Sequence, residues 1–304
     1  MADESPDIIV MMYHAVSGPA HNGVKGSFPL TFKRFIAQIE TLRKAGYMFG
    51  HVDDLPDAAQ SGQRVAFITS DDGTVDWCEN ALPYLESQSI PSHLGIISGV
   101  WAPEPIYPLT HIIQIILNTR TTSALNDLAD QLFYRLSDQQ LKYINAHYSY
   151  EKIWARRMIK GAMNLVLPNN IGQELVLPLS NEEKNLLATR FATPDQLRSF
   201  TYLSIGNHTR NHTTLDSNAQ SYFSNEVLTW SINKSWPTSK ISKVFTLPIT
   251  GRPDASYNQL EWLLRDAGYQ SMFTGSGFWD KKSFTIPRID AIHFDKFTRI
   301  LKQT

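Results

Sequence analysis

The run Val65-Ala66-Phe67-Ile68-Thr69 has no polar alternation, so a strand made from it must be covered on both faces. Such strands need helices above and below them, which confines the chain to parallel α/β architectures. The same character recurs in Asp7–Val16, a β-branched and Met-rich run that ends in Tyr13-His14 ahead of the breakers Gly18-Pro19. Further strand candidates are Ser92–Ser98, Tyr202–Ile205, Lys243–Leu247, Gln270–Phe273 and Phe284–Ile289. Between the strands, Phe32, Phe35, Ile36, Ile39 and Leu42 recur at helical spacing and stop at Gly46. Ala81–Leu85 and Tyr257–Ala267, the latter stopped by Gly268, predict two more helices. This alternation predicts a distorted parallel (β/α) barrel of about seven strands.

From Trp101 to roughly Ser199 the alternation breaks, and the spacing predicts helices over Leu109–Leu117, Ala124–Leu136, Glu151–Val166 and Asn181–Ala192. The expected organisation is one domain, residues 1–304, with a helical insertion at about 101–199. An insertion beside a strand end serves either as a lid or substrate-recognition element or as a stabilising or dimerising appendage.

Charge narrows the partners. With 28 basic and 29 acidic side chains the net charge is −1, so nothing points to nucleic acid or an acidic membrane. Cys78 is the only cysteine, which rules out an intrachain disulfide and a thiolate-rich metal site. Any metal must be held by histidine and carboxylate. No stretch has the length of a membrane span. The acidic start Met1-Ala2-Asp3-Glu4-Ser5-Pro6 and the short apolar run Ile8–Met12 do not make a signal peptide, and the expected location is cytoplasmic. The oligomeric state is not legible.

Two features carry chemistry. In Ile205-Gly206-Asn207-His208-Thr209-Arg210-Asn211-His212 two histidines stand four apart, a spacing that puts both rings on one side of a helical turn. Far upstream, Ser70-Asp71-Asp72-Gly73 places adjacent carboxylates at the end of a buried strand, where like charges are costly unless a partner or a cation relieves them. Alone, Asp-Asp-Gly reads equally as a helix-capping turn. Together, two imidazoles and one carboxylate leave coordination positions open on a divalent ion, as catalytic sites do, while the other carboxylate is placed to take a proton from water. Zinc is the default for that ligand set, though cobalt, nickel and iron also suit it.

The order of these segments resembles the polysaccharide deacetylase (NodB-type) family, in particular members that open with a Tyr-His strand. Met11-Met12-Tyr13-His14-Ala15-Val16 is similar to that opening, and Thr69-Ser70-Asp71-Asp72-Gly73 resembles the family's Thr-Phe-Asp-Asp-Gly. Ile205–His212 is similar to its metal-histidine motif, and Phe245-Thr246-Leu247-Pro248-Ile249 to its third motif. The likeness covers about residues 8–100 and 200–290. It implies Asp71 as general base and Asp72, His208 and His212 as metal ligands. It further implies that the Ile249 N–H stabilises an oxyanion and that a histidine near the C-terminus, for which His293 is the candidate, acts as general acid. His14 is either a substrate contact or a packed histidine. The implied reaction is hydrolysis of an N-acyl, most simply N-acetyl, group from an amino sugar or a glycan-biosynthesis intermediate. A deformylase, an O-deacetylase and an inactive carbohydrate-binding member are the alternatives.

The chain also departs from the family pattern. Many members carry in the third motif an Arg that tethers the base; here the position is Thr246, and Arg252 or Arg288 is the candidate replacement, Arg288 being read also as a substrate-side residue. The fourth motif is not recognisable. Trp101, Trp236 and Trp279 lie in loops near the strand ends, where they either stack on sugar rings or pack. His21, His51, His93, His111 and His147 receive ordinary structural readings, exposed or interfacial.

Overall fold

A computed structural model of the chain describes residues 6–17, 29–167, 169–231, 238–250, 252, 254–275 and 277–301; Gly18-Pro19, His21 and Trp236 lie outside them. The strands in chain order are β1 (Ile8–Tyr13), β2 (Val16–Ser17), β3 (Leu30–Thr31), β4 (Met48–Phe49), β5 (Val65–Ser70), β6 (Ser92–Ile96), β7 (Leu203–Asn207), β8 (Ile241–Thr246), β9 (Ser271–Thr274), β10 (Thr285–Pro287) and β11 (Ile289–Asp290). The helices are α1 (Phe32–Lys44), α2 (Leu55–Ser61), α3 (Leu82–Ser87), α4 (Leu109–Thr119), α5 (Thr122–Phe133), α6 (Asp138–His147), α7 (Trp154–Gly161), α8 (Asn169–Val176), α9 (Asn181–Ala188), α10 (Pro194–Arg198), α11 (Ala219–Tyr222), α12 (Tyr257–Asp266) and α13 (Phe294–Leu301).

The main sheet runs β10-β9-β8-β7-β6-β5-β1-β11, with β4 added on β5. Its ladders are all parallel. Its two end strands are neighbours in sequence: Thr285–Pro287 pairs with β9 and Ile289–Asp290 with β1, so only Arg288 separates them. Segment 285–290 therefore closes the sheet into the expected (β/α) barrel. Counting that split segment once, the ring holds β1, β5, β6, β7, β8, β9 and 285–290, the seven positions the alternation predicts. Pro287 explains the split, since it cannot donate to a ladder, and the Arg288 N–H turns instead to Thr274 O at 3.1 Å.

Helices α4–α10 fall between β6 and β7, where the insertion is expected, and bury their own apolar cluster, including Ile113, Ile116, Leu132, Ile144, Ile159 and Leu187. Three of them, α6, α8 and α10, are absent from the periodicity. In α6 only Ile144 is buried, so an apolar stripe is nearly missing, and a Ser137–Gln140 capping box marks the start instead. The expected helix Glu151–Val166 begins at Trp154 and ends in a wider turn over Ala162–Val166.

Inside the barrel His93 is fully buried, contrary to its surface reading. Its Nδ1 stands 3.2 Å from Ser204 Oγ and 3.4 Å from Ser242 Oγ. Gly206 leaves the space: a Cβ there would come within 2.5 Å of His93 Cε1. Burial pushes the His93 imidazole down to about 3, so it is neutral in the fold and gains a proton when the chain unfolds in mild acid. A depressed folded value means stability present above the unfolded value of 6.5 and lost as pH falls toward 3. His93→Asn keeps a polar atom near the serines without titrating. Between pH 6.5 and 4 the wild type should lose unfolding free energy more steeply than this variant, by up to about 1.4 kcal/mol per pH unit. Parallel slopes in urea titrations across that range would remove His93 as a source of acid sensitivity.

Candidate active site

The site is assembled where β5 ends. Thr69 Oγ1 donates to Met11 O and Asp71 N to Tyr13 O, which fixes the last turn of the strand against β1. Asp71 and Asp72 follow, only 3% and 4% exposed. Asp72 and Gly73 both take left-handed backbone, at φ 75° and 74°, so the chain reverses within two residues. It then runs against the far end of the insertion, where Val75 N donates to Arg190 O and Ala192 N to Gly73 O.

Adjacent buried carboxylates demand compensation, and each receives a different kind. Asp71 is gripped by Arg288, with Nη1 on Oδ1 at 2.7 Å and Nη2 on Oδ2 at 2.6 Å. Arg288 is itself buried, and its Nη1 also donates to Thr69 Oγ1. Burial raises the proton affinity of Asp71, but the Arg288 guanidinium overcomes it and holds the carboxyl down at about 2. Asp71 is thus an anion throughout the neutral range. Arg252, the other candidate tether, is taken by Asp254 at 2.6 Å.

Asp72 faces imidazoles. His208 Nε2 lies 3.4 Å and His212 Nε2 3.2 Å from the same oxygen, Oδ1. The two histidines do not sit on a helical turn as their spacing suggests. They occupy a loop in which Thr209 and His212 are left-handed, at φ 67° and 58°. Side chains hold this loop: Asn207 Oδ1 accepts from Thr209 N, Thr209 Oγ1 from His212 N, and the buried Glu226 carboxylate from Asn211 N and Nδ2. Left-handed β-branched and histidine residues are strained, and strain of this kind collects at functional sites.

The cluster fits a divalent cation. One ligand atom each from Asp72, His208 and His212 lies within 4.8 Å of the others, and all three residues are buried. Among the described residues Asp72 Oδ1 and His208 Nε2 have no hydrogen-bond partner, an expensive state for buried polar atoms that an ion would relieve. Bonds of about 2.0–2.1 Å to a tetrahedral zinc set ligand atoms about 3.3 Å apart, and the observed 3.4 and 3.2 Å straddle that spacing. His208 Nδ1 meets Thr246 O at 2.8 Å, which leaves Nε2 free to ligate. Thr246 thus supports a ligand through its backbone instead of tethering the base. Burial lowers the proton affinity of His208, but its contact with Asp72 and the charges of Asp71 and Asp72 outweigh this and the net direction is up, whereas at His212 burial prevails and the direction is down.

The remaining expected residues divide. His14 Nε2 stands 3.9 Å from Asp71 Oδ2, which places it at the site. Ile249 follows β8 at φ 37°, a rare conformation for a β-branched residue, and its N–H has no partner among the described residues. His293 does not join the cluster: it is exposed, in a single turn after β11, and has no hydrogen bond or ion pair with Asp71, Asp72, His208 or His212. That turn is fastened to α1 by Arg34 and Gln38, which donate to Ile292 O and Ala291 O. Trp101 and Trp279 are partly buried, with their indole N–H groups spent on Ala192 O and Ser283 O, as packed tryptophans do.

Sequence reasoning missed three residues of the insertion. His111 is fully buried, with Nε2 3.2 Å from Asp72 Oδ2 and Nδ1 accepting from Arg190 Nε at 2.8 Å. Thr110 Oγ1 stands 3.2 Å from His212 Nδ1. The available signal was the polar pair Thr110-His111 at the start of a predominantly apolar helix, Leu109–Leu117.

No protein-family model matches the chain, and no curated protein does. Solved structures do resemble it. IcaB from Ammonifex degensii aligns with a TM-score of 0.54 at 13% identity, over 99% of this chain and 97% of that one. A de-N-acetylase from Aggregatibacter actinomycetemcomitans aligns with a TM-score of 0.50 at 14% identity, over 95% and 99%. The chain therefore has the barrel fold of these proteins, and the alignments span 99% and 95% of it, too much to leave the insertion out.

The Asp71–Arg288 pair can be tested as a unit. Arg288→Gln strands a buried carboxylate and should cost about 3–5 kcal/mol in urea unfolding, whereas adding Asp71→Asn should recover part of that loss. Strictly additive losses would mean that the pair is not coupled.

Proposed function

We propose that this chain is a metal-dependent amide hydrolase that removes an N-acyl group, N-acetyl in the simplest case, from an amino sugar. The observation that carries the reading is the division of labour between neighbours: Asp71 locked as an anion by Arg288, and Asp72 converging with His208 and His212 on one point. The arrangement lies at the C-terminal ends of parallel barrel strands, where such folds build active sites. The neighbours in fold include a de-N-acetylase, which agrees with this chemistry.

Asp72, His208 and His212 would hold the cation, with zinc the metal their donor types suit best. Bound there, it would supply Lewis acidity toward the acyl carbonyl and lower the pKa of water. The rest falls to the protein. Asp71, ionised and held by both oxygens, orients the attacking water and accepts its proton through its remaining lone pairs. The Ile249 N–H stabilises charge developing on the carbonyl oxygen. The proton taken by Asp71 is passed to the departing nitrogen by way of His14, the imidazole 3.9 Å from the base, which takes over the place first given to the exposed His293. Release of a carboxylic acid and a free amine completes the balance. No helix among the described residues is long and apolar enough to cross a membrane.

The test combines metal analysis with a panel of acylated amino sugars. Zinc-loaded wild type should release acetate from N-acetylated members. Asp71→Asn should keep its zinc and lose about 10²-fold or more in kcat/KM. His208→Ala and His212→Ala should lose both metal and activity while keeping their far-UV circular dichroism. Formate release, or turnover of esters but not amides, would reassign the acyl specificity. Sugar binding without hydrolysis of any member would replace the enzyme by a binding protein.

A further inference from the structure

The two members of the cluster that face the insertion are both backed by its helix α4. A metal-bound histidine ligates through one nitrogen and needs an acceptor for the N–H on the other, which fixes the tautomer and the ring plane. For His208 the barrel supplies that acceptor, Thr246 O. For His212 it is Thr110 Oγ1, at 3.2 Å from Nδ1. Thr110 and His111 lie in the first turn of α4, and side chains at a helix start lean back past its N-terminus, here toward the site.

His111 differs from the two ligating imidazoles in what meets its second nitrogen. Arginine carries N–H donors and no acceptor, so the Arg190 Nε–H at 2.8 Å requires a bare lone pair on His111 Nδ1. In the neutral ring the proton is then on Nε2, which cannot ligate. That Nε2–H lies 3.2 Å from Asp72 Oδ2, off the line of a full hydrogen bond, while Oδ1 is the oxygen shared with His208 and His212. The carboxylate thus has one oxygen turned to the ligand cluster and the other to a fixed donor. Arg190 is held in turn: its carbonyl accepts from Val75 N, three residues beyond Asp72, and the next residue, Phe191, packs its ring 4.8 Å from that of His111.

We propose that the helical insertion completes the metal centre: Thr110 and His111 are positioning residues that set the tautomer of His212 and the orientation of Asp72, and Arg190 locks His111 as a donor. This rests on reading Asp72, His208 and His212 as metal ligands. It makes the insertion a working part of the centre, beyond either a lid or an appendage.

The experiment strips the full chain of metal and measures zinc affinity by competition with a chelator. Thr110→Val, nearly isosteric, and His111→Ala should each weaken zinc binding about 10–100-fold, and Thr110→Ser should stay within about threefold of wild type. Arg190→Met should weaken binding in the same direction, because it frees the His111 tautomer. Cobalt-loaded wild type and His111→Ala should show the same absorption bands, since no ligand has been removed. If Thr110→Val and His111→Ala bind zinc as tightly as wild type, the inference is overturned while the metal centre stands. If His111→Ala changes the cobalt spectrum, His111 is a ligand and not a positioning residue. A wild type that binds neither ion would bring down the metal-centre reading itself, and this inference with it. Metal-free circular dichroism identifies a variant that does not fold; should that be His111→Ala, Thr110→Val decides.

Discussion

Two carboxylates buried side by side at the end of β5 set the terms for the rest of the molecule. Removing either from water costs several kcal/mol unless the surroundings restore what water gave. The protein could have separated the pair or exposed it, and it does neither: Asp71 and Asp72 are 3% and 4% exposed. It gives Asp71 a guanidinium of fixed geometry and Asp72 a set of imidazoles, of which His208 and His212, with Nδ1 engaged by Thr246 O and Thr110 Oγ1, turn Nε2 lone pairs toward Oδ1 when neutral. The first solution is complete in the protein alone. The second leaves Asp72 Oδ1 and His208 Nε2 without hydrogen-bond partners among the described residues, and that imbalance is the physical reason for invoking a cation.

The Arg288 solution ties the chemistry to the architecture. Arg288 sits at the single point where the strand pairing with β9 gives way to the strand pairing with β1, so its backbone closes the barrel while its side chain crosses the interior to Asp71. Many proteins of the resembling family place the tethering arginine on β8, where this chain has Thr246. Here the charge enters from a different stave and reaches the same carboxylate. A guanidinium needs only to present its fork to the carboxylate plane, and several strands of a narrow barrel are within that reach.

How much of this was legible follows from the range over which each feature acts. The strands were readable because burial on both faces writes itself into consecutive residues, as in Val65–Thr69. The convergence of Asp72, His208 and His212 was readable because motif order survives even where spacing misleads: His208 and His212 look helical at four apart, yet Thr209 and His212 are left-handed and the pair sits in a loop. Local hydrogen bonds from Asn207 and Glu226 override the helical option, and one of them comes from a residue well downstream. The Arg288 clamp was visible only as one of two candidates, since nothing local to Pro287-Arg288-Ile289 points 217 positions back to Asp71. His293 stands apart from the cluster for the converse reason: proximity to the C-terminus is a family habit, and here that turn is tied to α1 with His293 exposed.

The insertion shows where local reading misleads most. Its apolar residues announce a self-contained helical unit, and it does have its own core. That pattern makes Thr110 and His111 look like polar interruptions of a buried helix. A neutral histidine among isoleucines is expensive unless its nitrogens meet polar groups, and the groups they meet, Arg190 by a hydrogen bond and Asp72 by a 3.2 Å approach, lie 79 positions downstream and on a different stave of the barrel. Burial of the histidine is therefore the consequence of a contact that spans two separately packed bodies. The insertion's core stabilises its own helices, and its joints to the barrel include a seam at residues 73–75 and 190–192, the packing of Ala192 and Leu197 into the barrel core, and two polar side chains at the start of α4. Because those side chains meet Asp72 and His212 directly, docking of the helical unit and shaping of the ligand cluster are one event.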